Sequence, residues 1–174
     1  GKAYTFEQLA EVMLKLQGLG CHNINLVTPT HVLPQILESL ELAIGQGLKI
    51  PLVYNTGGYE LAEIIKLLEG IVDIYLADSR YGENLIAQEL SQAADYVEFN
   101  QEALKEMHRQ AGIAKISGDG LIKKGLIIRH LVLPNRASAT EKIMKFIADE
   151  LSEDTYISLM SQYLPYYEAS GYPK

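Results

Sequence analysis

Cysteine is nearly absent from this chain, since Cys21 is the only one among 174 residues. One cysteine cannot form an internal disulfide and cannot hold a metal ion alone, so a reducing cytoplasm is the expected location. Long apolar runs are missing too, and none approaches the ~20 residues that a membrane helix needs. Residues 1–5 lack the apolar core of a signal peptide. We therefore expect no membrane span and no disulfide framework.

Basic charge is scarce as well. The net charge is −7, from 15 Lys and Arg against 22 Asp and Glu, and the only basic cluster is Lys123 with Lys124. Nucleic acids bind to concentrated basic faces, so we do not expect a nucleic acid as a partner. The length and the 48% of hydrophobic residues are typical of one folded domain, which we place at residues 1–174.

What the chain does have is an alternation of strand-like and helix-like segments. Five apolar segments predict strands, at residues 24–28, 52–56, 71–77, 126–133 and 155–162. Segments of helical periodicity precede the first strand and lie between the others. Strands rich in Val, Ile and Leu that alternate with helices indicate parallel pairing, which predicts an α/β fold.

Local motifs mark the boundaries of these segments. Thr5 and Gln8 have the spacing of a capping box before the first helix, and Ser138 and Glu141 repeat it before the last helix. Residues 113–124 carry Ser-Gly-Asp-Gly in the middle and predict a surface hairpin. The chain from Pro165 is rich in Tyr and Pro, which predicts a loosely held tail.

Two architectures fit this order of elements: an incomplete (β/α) barrel and an open, doubly wound sheet. Five strands are too few for a complete eight-stranded barrel. The first strand is not followed by G-x-G-x-x-G, so nothing favours a dinucleotide-binding fold. In both architectures ligands bind beyond the carboxyl ends of the strands, and the functional residues are expected there.

A charged pair interrupts the fourth predicted strand. Arg129 and His130 are neighbours in an apolar segment, so their side chains point to opposite faces of the sheet. An arginine in such a strand needs a partner, because an unpaired buried charge is costly. Two interpretations are open: a clamp on a carboxylate or phosphate ligand, or a structural ion pair with Asp78 or Asp73.

Segments at the strand ends resemble, in order, those of radical S-adenosylmethionine proteins related to pyruvate formate-lyase activating enzyme. They are residues 23–31 (NINLVTPTH), 53–60 (VYNTGGYE), 72–78 (VDIYLAD), 129–134 (RHLVLP) and 159–163 (LMSQY). The resemblance covers nearly the whole chain. It implies a partial (β/α)6 barrel of parallel strands, similar to a TIM barrel.

The resemblance also implies a radical enzyme. Members of this family hold a 4Fe-4S cluster on a CxxxCxxC loop after their first strand, and the cluster cleaves S-adenosylmethionine to a 5′-deoxyadenosyl radical. In activating enzymes this radical abstracts hydrogen from a glycine of another enzyme. The implied partners are therefore a glycyl-radical enzyme and an electron donor such as flavodoxin.

The sequence departs from this family at the cluster. The cysteine motif and the strand before it are missing, and Cys21 lies just before the second family strand. We interpret the chain as the C-terminal part of a longer protein, truncated so that the first strand is absent. Because the cluster needs three thiolates, no metal ligand is assigned here, and this fragment alone is expected to be inactive.

The resemblance assigns cofactor contacts to residues at five strand ends. In chain order they are Thr28, Thr30, Asn55, Asp78, Arg80, Arg129 and Gln162. Thr28 and Thr30 replace a Gly-Gly-Glu turn that contacts the amino group of the cofactor, and their hydroxyl oxygens could accept that hydrogen bond. Asn55 corresponds to a position near the ribose and the methionine moiety.

The remaining assignments concern the later strands. Asp78 and Arg80 correspond to an Asp-x-Lys pattern beside the cofactor, with an arginine that keeps the charge of the lysine but not its geometry. Arg129 corresponds to an arginine that resembles a carboxylate clamp, and Gln162 to a position near the adenine. His130 is then expected to face outward. The resemblance assigns no catalytic residue.

Two other functions remain open from the residues alone. One is a barrel-like metal-dependent hydrolase or lyase that uses His31, Asp78 and His130, which requires His130 to face the barrel interior. The other is a non-catalytic binding domain whose polar strand ends are a remnant site. In a truncated chain, residues 24–27 form an apolar sheet edge, and we expect dimerisation or poor solubility through it or its neighbour.

Overall fold

The computed structural model describes residues 3–166. The helices are α1 (Phe6–Gly18), α2 (Leu33–Gly45), α3 (Ala62–Lys66), α4 (Asn84–Ser91), α5 (Tyr96–Ala111) and α6 (Thr140–Phe146), which continues as a π-helical turn (Ile147–Leu151). The strands are β1 (Ile24–Val27), β2 (Leu52–Thr56), β3 (Ile74–Asp78), β4 (Gly125–Leu131) and β5 (Tyr156–Met160). Short 3₁₀ turns follow β1 (Thr30–Val32) and β4 (Pro134–Arg136).

The five strands form one parallel sheet in the order of the chain, β1-β2-β3-β4-β5. The predicted α/β fold with parallel strands is therefore confirmed. A doubly wound sheet reverses its strand order, and this sheet does not. Consecutive parallel strands joined by crossovers of one hand place their helices on the same face, so the sheet is singly wound. This arrangement is compatible with a sector of an α/β barrel.

Two apolar clusters show where the helices pack. One joins alternate residues of β2, β3 and β4, such as Tyr54, Tyr75 and Leu126, to buried residues of α5 and α6. The other joins Ile24 and Leu52 to α1 and α2. The intervening strand residues point to the opposite face, which carries the side chains of Asn55, Asp78 and Arg129 and which we call the open face.

Helix α1 begins with the predicted capping box. The Thr5 hydroxyl accepts a hydrogen bond from Gln8 N at 3.2 Å, and Gln8 Oε1 accepts one from Thr5 N at 3.1 Å. The helix buries Ala10 and Met13 against α2. Thr5 thus sets the start of a helix that covers one end of the sheet.

Replacing Thr5 with alanine will lower the free energy of unfolding by about 1 kcal/mol, because one backbone N–H at the start of α1 loses its acceptor. Urea denaturation followed by circular dichroism measures this change. The matched control is Thr5→Ser, which keeps the hydroxyl and should unfold at nearly the wild-type urea concentration. Equal destabilisation by both variants would contradict a capping role.

The structure corrects the second capping box. The residue before α6 is Ala139, at φ 49°, and no side-chain cap is made there. The Ser138 hydroxyl instead accepts a hydrogen bond from Leu133 N at 3.2 Å and lies 3.1 Å from the Thr140 hydroxyl. Ser138 is turned inward to hold the loop after β4, so it is not available to cap the helix.

Several predicted boundaries also shift. β3 begins at Ile74 rather than at residue 71, because Val72 N still bonds to Leu68 O in the turn after α3. β4 ends at Leu131 and β5 at Met160, each before the predicted end. The predicted hairpin at residues 113–124 is one antiparallel bridge between Ile116 and Ile122. The predicted tail lies largely outside the described residues.

The edge strands of the sheet bear on association with a second chain. β1 and β5 are the edge strands, and the Val27 side chain is 65% exposed at the β1 edge. Dimerisation through the β1 edge stays a prediction.

Within residues 3–166, every helix is too short or too polar to cross a bilayer.

Candidate functional site

Three neighbouring strands bring their side chains together at the carboxyl end of the open face. The register pairs Asp78 of β3 with Arg129 of β4, and Asn55 lies on β2, the other neighbour of β3. Arg129 Nε donates to Asp78 Oδ1 at 2.7 Å, and Arg129 Nη2 donates to Asn55 Oδ1 at 2.9 Å. The guanidinium therefore spans β2, β3 and β4, which the sequence alone could not show.

A second arginine completes this network. Arg80 donates from Nη2 and Nε to Asp78 Oδ2, at 2.8 Å and 3.2 Å. Burial lowers the pKa of the Arg80 guanidinium, but the hydrogen bond and the negative charge of Asp78 outweigh this effect, and the net shift of the pKa is upward. We call Asn55, Asp78, Arg80 and Arg129 the arginine network.

The arginine network carries an excess of positive charge. Two guanidinium groups share the single Asp78 carboxylate, whose side chain is only 13% exposed, whereas the Arg80 side chain is 55% exposed. Each guanidinium has five N–H donors, and Asp78 and Asn55 use only some of them. The remaining donors can bind an anionic group such as a carboxylate or a phosphate.

Asn100 of α5 holds the backbone next to the arginine network through three hydrogen bonds. Its amide nitrogen donates to the carbonyl oxygens of Gly58 and Asp78, both at 2.9 Å, and its amide oxygen accepts from the Ser79 hydroxyl at 2.8 Å. Asn100 is only 2% exposed. One buried side chain therefore ties together the loops that follow β2 and β3.

His130 lies on the helix-covered face, opposite to Arg129, as expected from their adjacency. Its Nδ1 lies 2.6 Å from the Ser79 carbonyl oxygen, and its Nε2 lies 2.9 Å from the Thr140 hydroxyl. A carbonyl only accepts, so Nδ1 carries a proton and donates to Ser79. His130 is fully buried and holds the backbone next to Asp78.

This geometry does not fit the metal-dependent hydrolase or lyase. That function requires His130 on the same face as Asp78, and the two side chains lie on opposite faces of the sheet. In the part of the chain that the structure describes, no three His, Cys, Asp or Glu side chains come close enough to share a metal ion.

A second polar group, on the helix-covered face at the tips of β1 and β2, is built from hydroxyl groups and one carboxylate. The Thr30 hydroxyl donates to Glu60 Oε1 at 2.7 Å and lies 2.8 Å from the Tyr54 hydroxyl, and Thr56 donates to the same Glu60 oxygen. Burial raises the pKa of Tyr54 to about 12, although the hydrogen bond with Thr30 opposes the shift. Thr28 is exposed at φ 49°, a conformation that is rare for a threonine.

Not all predicted residues join these two groups. Gln162 is exposed beyond the end of β5 and makes no contact with the arginine network. Asp73 lies at the amino end of the sheet, where its Oδ2 accepts from Leu52 N at 2.9 Å. Of the two candidate ion pairs for Arg129, the structure contains the one with Asp78.

Sequence reasoning assigned no role to Glu60 or Asn100. Asn100 could have been found, because it falls on the apolar face of α5 with Ala103, Leu104 and Met107, where a polar side chain is unexpected. Glu60 had no such signal, since it follows a glycine-rich turn in which a polar residue is ordinary.

Comparison with known proteins gives one similarity. The chain is 36% identical, over 155 residues, to the uncharacterized protein MJ0674 of Methanocaldococcus jannaschii. The alignment covers 87% of this chain but 40% of that protein, so the chain spans well under half the length of this curated relative. No model of a protein family matches the chain, and no solved structure matches it. The name of the relative states no activity.

Proposed function

We propose that this chain is the core of a radical S-adenosylmethionine enzyme related to pyruvate formate-lyase activating enzyme. The observation that carries the proposal is the arginine network. Four residues that the resemblance assigns to the cofactor, Asn55, Asp78, Arg80 and Arg129, form one hydrogen-bonded group on the open face. The singly wound sheet supports the finer assignment to a partial (β/α)6 barrel.

The residues of the arginine network fit the polar end of S-adenosylmethionine. Arg129 and Arg80 would bind its carboxylate, because their free N–H donors match the two oxygens of that group. The Asn55 amide would orient the same end of the cofactor, and Asp78 holds both guanidinium groups in place. When bound next to a reduced cluster, S-adenosylmethionine supplies a 5′-deoxyadenosyl radical.

The residues of this chain do not fit the 4Fe-4S cluster. The sequence contains one cysteine, and Cys21 precedes β1 at the amino end of the sheet, away from the arginine network. Three thiolates are needed. We propose that the cluster is held by another part of a longer protein and that the fragment alone is inactive. A glycyl-radical enzyme and an electron donor such as flavodoxin are the proposed partners, in the cytoplasm.

Replacing Arg129 with lysine will weaken binding of S-adenosylmethionine by about tenfold, because lysine cannot offer two parallel N–H donors to a carboxylate. Amide NMR titration of the chain with S-adenosylmethionine, up to millimolar concentration, measures the affinity. The matched control is Arg109→Lys. Arg109 pairs with Glu69 and Glu106 away from the site, so this variant should bind as the wild type does.

Two outcomes would contradict the proposal. One is the absence of saturable binding to the wild-type chain, and the other is equal binding by the Arg129 and Arg109 variants. The gene provides a separate test: the reading frame upstream of the Gly1 codon is expected to encode CxxxCxxC. A start codon at this point, with no such motif, would favour a non-catalytic binding domain.

A further inference from the structure

Four aromatic side chains form a cluster at the carboxyl end of β2 and β3. The Tyr59 ring is stacked on the Tyr96 ring with 5.7 Å between their centroids, and it meets the edge of Phe99 at 5.8 Å. Tyr81 meets Tyr96 edge-on at 5.3 Å. Tyr81 and Tyr96 are buried, whereas Tyr59 is 47% exposed. Tyr59 is therefore the outermost ring of the cluster.

The Tyr59 ring is held in one orientation. Its hydroxyl donates a hydrogen bond to Asp95, directly before α5, and Tyr96 covers one face of the ring. The exposed part of the side chain therefore includes the opposite face. The hydrogen bond with Asp95 raises the pKa of Tyr59, so the phenol is uncharged at neutral pH. A fixed, neutral ring loses little conformational freedom when a flat group stacks on it.

The exposed ring lies next to the outer arginine of the arginine network. Gly57 and Tyr59 are two residues apart, so their Cα atoms lie within about 7 Å of each other. A Cβ at Gly57 would be 3.8 Å from Arg80 Nη2. Beneath the Tyr59 ring, the Tyr96 hydroxyl accepts a hydrogen bond from Arg80 N at 2.9 Å. One small molecule can therefore reach both the ring and the guanidinium, provided that a spacer separates its two ends.

We propose that Tyr59 and Arg80 bind a nucleotide, with its base stacked on the exposed face of the Tyr59 ring and its phosphate on the free N–H donors of Arg80. Every nucleobase has a π-face that stacks on an aromatic side chain. Arginine binds phosphate through paired N–H donors, and the ribose is the spacer. The phosphate then lies at the Arg80 end of the site, away from the carboxylate of Asp95.

This site is additional to the proposed function and does not depend on it. The position near the adenine of S-adenosylmethionine that the resemblance assigns is Gln162, which follows β5, whereas Tyr59 follows β2. Arg129, whose side chain is 29% exposed, keeps its own free donors for the carboxylate of that cofactor.

The test compares AMP with two molecules that each lack one part of it. Adenosine has no phosphate, and ribose 5-phosphate has no base. Amide NMR titration of the wild-type chain is expected to show AMP binding at least about tenfold more tightly than either, because stacking and the charge-assisted contact each contribute about that factor. AMP binding no tighter than adenosine or ribose 5-phosphate would overturn the proposal.

Tyr59→Leu removes the ring and keeps an apolar side chain, so it is expected to weaken AMP binding about tenfold. Tyr59→Phe keeps the ring on Tyr96 and should bind AMP within about threefold of the wild-type affinity. The control is Tyr156→Leu, which removes an exposed tyrosine at the start of β5 and should bind as the wild type does. A loss in either Tyr59→Phe or Tyr156→Leu as large as that in Tyr59→Leu would overturn the stacking role.

Arg80→Gln tests the phosphate end of the site. AMP and adenosine are expected to bind this variant equally, because glutamine offers no charge to the phosphate. A preference for AMP that survives in Arg80→Gln would overturn the assignment of the phosphate to Arg80.

The remaining outcomes separate this proposal from the proposed function. Binding of AMP that depends on Tyr59, by a chain that does not bind S-adenosylmethionine, supports the nucleotide site and contradicts the radical enzyme. Binding of S-adenosylmethionine that Tyr59→Leu leaves unchanged, by a chain that does not bind AMP, does the reverse. A chain that binds neither contradicts both.

Discussion

Replacing Gly58 with alanine will destabilise the protein by at least about 3 kcal/mol, because two unfavourable effects combine. A Cβ at this position would lie 1.9 Å from the carbonyl oxygen of Asp78 and 2.6 Å from Nδ2 of Asn100. Neither atom can move without breaking the hydrogen bond that joins them. The backbone is also at φ +77°, where alanine is strained.

The adjacent glycine is a matched control for this prediction. At Gly57 a Cβ would meet only Arg80 Nη2, at the ordinary contact distance of 3.8 Å. Gly57→Ala should therefore change the free energy of unfolding by less than about 1 kcal/mol. Urea denaturation of the two variants measures the difference. Similar stability of both would mean that the tips of β2 and β3 do not approach as closely as described.

Replacing Asn100 with aspartate will destabilise the protein by about 3 kcal/mol at neutral pH, although the side chains have nearly the same shape. The amide nitrogen of Asn100 donates to the carbonyl oxygens of Gly58 and Asp78. A carboxylate would place a negative charge against these two acceptors, with no donor for either. We expect the tips of β2 and β3 to separate and the arginine network to lose its spacing.

Burial would raise the pKa of the introduced carboxyl group above its value in the unfolded chain. The instability of Asn100→Asp is therefore expected above that folded-state pKa and should diminish as the pH falls through it, because a protonated acid can donate to one carbonyl. Unfolding experiments across a pH series measure this. The control is Asn25→Asp at an exposed position of β1, and equal loss in both variants would refute the role of Asn100.

The parallel pairing of the strands could be predicted from the sequence because each strand is an apolar segment between helical ones. Their order in the sheet could not be predicted from this pattern, because a doubly wound sheet fitted it equally well. The open face was also predictable in part, since Arg129 and His130 had to leave opposite sides of β4. The contact of Arg129 with both Asp78 and Asn55 was not predictable. It depends on the register of three strands, which side-chain packing determines across residues distant in the chain.

The second capping box shows why local motifs are insufficient. Ser138 has the residue type and the spacing that favour a cap, yet its hydroxyl binds Leu133 N in the loop after β4. Tertiary packing offered this hydroxyl a buried partner, whereas Thr5 has no competing contact and caps α1 as expected. Glu60 is a similar case, because a glycine-rich turn does not reveal that this carboxylate is buried and accepts hydrogen bonds from Thr30 and Thr56.

The opposite orientations of Arg129 and His130 also bear on how the chain reaches this structure. A slip of β4 by one residue along its neighbours would turn Arg129 into the apolar cluster that contains Tyr75 and Met107, and would turn His130 away from Ser79 and Thr140. The misaligned sheet would bury an unpaired guanidinium, at a cost of several kcal/mol. Arg129 and His130 therefore make the misaligned register of β4 less stable than the native one during folding. This effect does not depend on any ligand that the open face binds.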